Sequence, residues 1–261
     1  MQQYNYLQAI YKSFYSPALY RDVKQNWGAG VVLYLFLLLA ICCAIALVPI
    51  QQMINAHAKK FSEEAIPNLP KMNIKNGIAI TPENRPYLIK DPHTGNNWIV
   101  IDTSGHYVNI EQANARVLLT KNEIFIKNDS DEIRAQKIPK SLTMSIVPND
   151  IQRWISGVVG WAWVLIFPTL LFFSFVYRLI QAILYAMIGK FFAVLNDYFI
   201  PYSAVLKLVM ISVTPAIIIS TILDFFLISF HLQLLCYFIL SMLYLYFAIR
   251  VNKTHQIKGK K

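Results

Sequence analysis

Four side chains of metal-ligand or acid–base type fall close together in the sequence: Asp91, His93, Asp102 and His106. Carboxylates and imidazoles bind metals and move protons. Their spacing here matches neither a zinc nor a calcium pattern. Asp91-Pro92 and the surroundings of Gly95 and Gly105 are ordinary turn chemistry. Metal binding is therefore the lesser reading of these four residues, and no cofactor is expected. Nucleophilic chemistry has less support. Ser104-Gly105-His106 is not set in a strand–nucleophile–helix elbow, and the chain has no G-x-S-x-G, HExxH, P-loop or GxGxxG motif. An enzyme is not expected. Recognition is the remaining use for polar loop residues. Asp91, His93, Asn96 and Asn97 on one loop, with Ser104, His106 and Tyr107 on another, are the candidate partner-binding residues.

Short strands must position those loops. Met72–Ile74 and Ile78–Ile80 flank Asn76-Gly77, a tight-turn signal. Tyr87–Lys90 and Trp98–Asp102 flank the turn-rich stretch Asp91–Asn97. Val117–Thr120 and Glu123–Lys127 flank Lys121-Asn122, and Ile133–Ile138 can add a further strand. The pattern predicts a small antiparallel sheet domain, with a helix near Ile110–Ala115 over one face. A helix over Gln51–Ala65, stopped by Pro67 and Pro70, leads into it. Asn128-Asp129-Ser130 spells a glycosylation sequon, which matters only in a host that glycosylates it.

The remainder of the chain is too apolar for an ordinary soluble domain, with 56% hydrophobic residues overall. A membrane span needs about 20 mainly apolar residues. Val31–Ile50, Ile155–Tyr177, Ser203–Leu223 and Leu232–Ile249 qualify. The net charge of +10 is concentrated before the first of these, between the second and third, and after the fourth. The turn from Asp224 to His231 has no Lys or Arg. The positive-inside rule then puts both termini in the cytoplasm and residues 51–153 outside, and the basic residues need no nucleic acid to explain them. Cys42, Cys43 and Cys236 all lie in spans, so the outside segment has no disulfide.

The expected fold is thus an α-helical membrane protein with four transmembrane helices and a small β-rich (α+β) extracytoplasmic domain between the first and second. Residues 1–28 form a cytoplasmic amphipathic segment, with Leu7, Ile10, Tyr11 and Phe14 on one helix face. Residues 29–50 are the first span, an uncleaved signal-anchor, and 51–153 the outside domain. Residues 154–250 hold the other three spans, with about 179–195 an interfacial helix or a protruding continuation of the second span. Residues 251–261 form an unstructured basic cytoplasmic tail. Arg178, Lys190, Lys207 and Asp224 fall near span ends, where side chains snorkel to water. Only Ser212, Thr214 and the Pro215 kink put polarity near a midplane.

Several short motifs resemble an uncharacterised family of bacterial inner-membrane proteins, a domain of unknown function. They are Lys12-Ser13-Phe14, Ile66-Pro67, Met72-Asn73-Ile74-Lys75-Asn76-Gly77, Ile101-Asp102-Thr103-Ser104-Gly105, Leu119-Thr120-Lys121 and the stretch Phe199–Pro215. Some members are labelled maltodextrin-utilisation membrane proteins, largely from gene neighbourhood, and the C-terminal block is distantly similar to Yip1-type multi-span proteins. The resemblance implies a multi-pass protein of the bacterial inner membrane and brings no site residues. The expected function is that of an accessory, scaffolding or sensory component whose outside domain binds a membrane or envelope protein. A second copy of the chain is a further candidate partner. The alternative is a small transporter or transporter subunit using the third span.

Overall fold

Asn5 accepts a hydrogen bond from the Gln8 N–H, and the Gln8 side chain accepts one from the Asn5 N–H. This reciprocal cap starts α1 (Tyr6–Lys12) in the computed structural model, which describes residues 2–91, 95–128 and 131–258. Ser16 caps α2 (Pro17–Asn26), where Pro17 occupies the first turn. Next come α3 (Gly30–Glu64) and the strands β1 (Met72–Lys75), β2 (Ile78–Ile80), β3 (Tyr87–Lys90) and β4 (Asn97–Asp102). Then follow α4 (Ile110–Ala113), β5 (Ala115–Thr120), β6 (Glu123–Lys127), β7 (Ile133–Lys137) and β8 (Met144–Ile146). The chain continues through α5 (Pro148–Leu195), α6 (Tyr202–Ser212), α7 (Thr214–Phe225) and α8 (Gln233–Lys258). Two units result: residues 1–52 with 163–261, and residues 53–162.

The first unit is helical. Among the described residues four helical segments are long and apolar enough to cross a membrane: Gly30–Asn68, Pro148–Leu195, Tyr202–Phe225 and Gln233–Thr254. Residues 179–195 are not a separate helix. They are the end of α5, which runs without a break because nothing between Arg178 and Leu195 interrupts its backbone ladder. Small residues at helical spacing, Ala182, Ala186, Gly189 and Ala193, are the buried face of this stretch. At Gly189 an added Cβ would come within 2.6 Å of Val205 on α6 and 3.3 Å of Leu245 on α8. Glycine is what lets the three helices approach there. The third apolar segment is two helices, α6 and α7, meeting at Val213 just before Pro215. Pro215 lacks the N–H that would bond back to Ile211.

The N-terminal residues do two different things. The Leu7, Tyr11 and Phe14 side chains on and just after α1 are exposed, and Ile10 is half-buried. In contrast Leu19, Tyr20, Val23 and Trp27, on and just after α2, are fully buried in the helical core. Asp22 is buried as well, and its carboxylate accepts from the Gln3 and Tyr4 N–H groups, Asn26 Nδ2 and Trp27 Nε1. Tyr20 donates to the Ser13 carbonyl at 2.6 Å, and burial raises its pKa above the ordinary phenol range. Lys190 Nζ donates to the Ile200 carbonyl at 2.8 Å and Lys207 Nζ to the Lys24 carbonyl at 3.0 Å, while Lys24 Nζ bonds the Tyr198 hydroxyl at 2.6 Å. Lys190 and Lys207 are thus partly buried and each tied to a backbone carbonyl. The expected unstructured tail is corrected: α8 continues to Lys258, carrying Asn252, whose amide donates to the Tyr20 and Ala248 carbonyls. Residues 259–261 of that tail lie outside the described residues.

The second unit contains two sheets. β2-β1-β8 form one, and β3-β4-β5-β6-β7 the other. Asn76 and Gly77 both take positive φ, 51° and 75°, as a two-residue hairpin requires. A Cβ on Gly77 would lie 2.7 Å from the Ile138 carbonyl oxygen. Side-chain alternation then builds two cores. Ile89, Ile101 and Leu119 pack with Met72, Ile74 and Ala79, while Val100 and Leu118 face Ile110 and Ala113 of α4. The larger sheet is mixed, which corrects the antiparallel expectation: β4 and β5 pair in parallel. The connection carrying α4 makes that possible, since parallel neighbours need a crossover.

Candidate functional site

The polar loop residues lie at the two ends of β4. At its start, the loop after β3 is closed by the Gly95 N–H bonding the Asp91 carbonyl and the Asp91 N–H bonding the Asn96 carbonyl, each at 2.8 Å. Asn97 Nδ2 donates to the Ala113 carbonyl at 2.9 Å, which ties this loop to the end of α4. Asn114 then turns the chain into β5 through a left-handed conformation, φ 43°. Asparagine tolerates that region better than most residues. Because β4 and β5 run parallel, with Asn97 opposite Ala115, residues 114–116 arrive beside residues 96–98. The β6–β7 turn adds Lys127, Asn128 and Asp131, with Lys127 and Asp131 paired at 2.9 Å.

The result is an open cleft of about 250 Å³. Asp91, Asn96 and Asn97 of the candidate set contribute to it, and Trp98, Asn114, Arg116, Lys127, Asn128 and Asp131 join them. Sequence reasoning missed Asn114, Arg116, Lys127, Asn128 and Asp131 because the parallel pairing of β4 and β5 brings them in. Their one local signal is Asn114, a left-handed-tolerant residue immediately before a strand. Amides, one indole and both signs of charge suit hydrogen-bonded recognition. No nucleophile–base pair is present among the described lining residues. His93, together with Asp129 and Ser130 of the sequon, lies outside the described residues.

At the other end of β4, Asp102 is fully buried and organises the following loop. Its Oδ1 accepts from the Ser104 N–H at 2.8 Å, the Ser104 hydroxyl at 2.5 Å and the Gly105 N–H at 3.2 Å. Its Oδ2 accepts from the Tyr107 N–H at 2.6 Å. Burial works to raise the Asp102 pKa, but these donors outweigh it and hold the carboxyl below the ordinary carboxylate range. Thr103 Oγ1 shares a hydrogen bond with Thr81 Oγ1 at 2.6 Å. The His106 ring stands edge-on to Tyr107, centroids 4.7 Å apart, and His106 is exposed.

The candidate set is thus split. Asp91, Asn96 and Asn97 meet in the cleft, whereas Ser104, His106 and Tyr107 form a separate loop. Of the four residues considered as metal ligands, His93 lies outside the described residues, and Asp91 and Asp102 sit at opposite ends of one strand. β4 stands between Asp91 and Asp102, and the Asp102 oxygens are occupied by its own loop. Among the described residues there is no group of three His, Cys, Asp or Glu placed to hold a metal.

No curated protein and no solved structure matches the chain. A family model does match, over residues 7–249, thereby covering most of the helical unit, both sheets and the motifs around Asn76-Gly77 and Asp102-Thr103-Ser104-Gly105. The chain belongs to the family described as "Protein of unknown function (DUF1189)".

Proposed function

We propose that this chain is a multi-pass protein of the bacterial inner membrane, with both termini cytoplasmic and residues 51–153 outside. It acts as an accessory, scaffolding or sensory component, without enzymatic activity. Its outside domain binds a membrane or envelope protein through the cleft of Asp91, Asn96, Asn97, Asn114 and Asn128. One observation carries the reading: the folded sheet unit falls in sequence between the first two apolar helices, and the cleft at the start of β4 is lined by hydrogen-bonding side chains and an indole. Such side chains suit partner recognition. The test is a photo-crosslinking residue at Asn97 or Asn128 in growing cells, with Ile80 on β2 as control. A discrete protein adduct at 97 and 128, lost with Asn114→Ala, supports the reading. Adducts equal at all three positions, or none, overturn it.

One observation favours the transport alternative. α6 and α7 meet at Val213 with Ser212 and Thr214 fully buried beside the break, and broken helices serve transporters as substrate sites. Yet Ser212 Oγ bonds the Leu208 carbonyl at 2.8 Å and Thr214 Oγ1 shares a bond with Tyr34 at 2.9 Å, so both hydroxyls are used in packing. Thr214→Val should leave activity in cells intact under the accessory reading. Its loss at unchanged protein level would favour transport.

A further inference from the structure

A second recess lies wholly within the helical unit, where the end of α7 turns into α8. It is a cleft of about 850 Å³ with walls from α5, α7 and α8. On α5, Arg178 Nη1 donates to Gln181 Oε1 at 2.6 Å, and Gln181 Nε2 donates to the Tyr185 hydroxyl at 2.8 Å. On α8, Gln233 Nε2 likewise donates to the Tyr237 hydroxyl at 2.7 Å. Two glutamines are therefore each held by a tyrosine one turn further on. The Tyr185 bond fixes the Gln181 amide with its oxygen toward Arg178. Tyr185 is itself braced edge-on by Phe238, centroids 5.6 Å apart.

Arg178 is the unexplained member. It is half-buried in a helix long and apolar enough to cross a membrane, and among the described residues no carboxylate is paired with it. A guanidinium offers five N–H donors. Gln181 takes one, and the Tyr177 ring lies 5.5 Å from the guanidinium carbon. A cation so placed is costly unless an anion meets it. The planar fork suits paired oxygens, such as those of a phosphate. The flanking surface is apolar, with Phe230, Leu232 and Leu235 exposed beside the polar walls. Exposed Asp224 at the same cleft opposes a second negative charge. Oxygen pairs for Arg178, a hydrocarbon surface alongside and a penalty on dianions together describe one ligand class.

We propose that this cleft holds the phosphodiester head of a membrane lipid, with its oxygens on Arg178 and an acyl chain over Phe230, Leu232 and Leu235. The proposal rests on the membrane reading above. It is tested with the full chain, purified in detergent and stripped of lipid, by native mass spectrometry. The probes are phosphatidylethanolamine, phosphatidylglycerol, phosphatidic acid, glycerophosphoethanolamine and inorganic phosphate. The two phosphodiester lipids should bind about tenfold or more tighter than the tailless probe and phosphate, and tighter than phosphatidic acid. Arg178→Gln should weaken them about tenfold, the loss of one charge-assisted contact. Lys207→Gln, whose lysine bonds the Lys24 carbonyl and does not line the cleft, should leave them unchanged. Ser220→Phe fills the cleft from α7 while leaving the Arg178–Gln181 bond in place, and decides the matter if Arg178→Gln melts early. Lipid binding unaffected by both Arg178→Gln and Ser220→Phe overturns the proposal, as does phosphate binding as tightly as lipid. Release of the chain from cell membranes by alkaline carbonate would separately sink the membrane reading itself.

Discussion

A carboxylate without solvent exposure persists only where donors replace its water, and Asp102 collects four of them from one five-residue loop. Hydrogen bonds to a charged group are each worth about 1.5–3 kcal/mol, so Asp102→Ala should destabilise the sheet unit by about 2–3 kcal/mol. Hydrogen exchange on the full chain should show the Ser104, Gly105 and Tyr107 amides losing protection first. The pH dependence follows from the lowered pKa. A carboxyl lowered in the folded state stabilises above its unfolded value, about 3.9, and the contribution is lost as pH falls through the folded value. Melting of the wild type should therefore drop more steeply below about pH 4 than melting of Asp102→Asn. An identical acid limb in the two proteins would show that the carboxylate is not what holds this loop.

Helices and strands were legible in the sequence to different depths. Asn76-Gly77 specifies its hairpin because both residues must take positive φ. The alternation in Trp98–Asp102 likewise marks a strand. β8 escaped notice because three residues are too short to show a period, and they precede the stronger signal of Pro148. The parallel partner of β4 was illegible for another reason: alternation records which face is buried, not which neighbour lies alongside. That error hid most of the cleft lining. The end of α5 was legible as a continuation of the second span, but not its packing: small residues set that stretch against α6 and α8. Gly189 is the sharpest test of that packing. Gly189→Val must displace Val205, and overpacking of this kind costs about 1–3 kcal/mol. The melting temperature in detergent should fall, whereas Gly157→Ala, with open space around its added Cβ, should leave it unchanged. Equal melting of both variants would mean that α5 does not pack as described.

For the whole molecule, the sign and position of charge make the strongest statement. On the membrane reading, the basic residues before the first apolar helix, Lys190 and Lys207 around the junction of the second and third, and those after the fourth favour one side, and the short α7–α8 connection carries no cation of its own, although Arg178 of α5 lies beside it. In a chain with its three native cysteines replaced, a single cysteine at 129 should react with an impermeant maleimide in intact cells. One at 258 should react only after permeabilisation. Labelling of 258 from outside would put the C-terminus on the other face and remove the four-span reading. The Asp91, Asn96 and Asn97 part of the candidate site could be anticipated because turn residues declare themselves locally. Of the Arg178 cleft, the stripe of Arg178, Gln181 and Tyr185 follows from helical spacing, but no local pattern shows that Gln233 and Tyr237 of α8 line the same recess.

The bond from Asn252 to the Tyr20 carbonyl, with Lys24 on Tyr198 and the Tyr20 ring against Phe247 at 5.7 Å, has a temporal meaning. Residues near the start of the chain complete their burial against residues made near its end. During synthesis the part of α2 that packs on α8 therefore stays open until α8 has emerged, and the helical unit completes its closure late. A ribosome-stalled chain ending before Leu245 should expose Tyr20 and Trp27 to protease and chaperone, while a chain released after Thr254 should protect both. Early protection in the stalled chain would mean that α2 finds its place without the last helix.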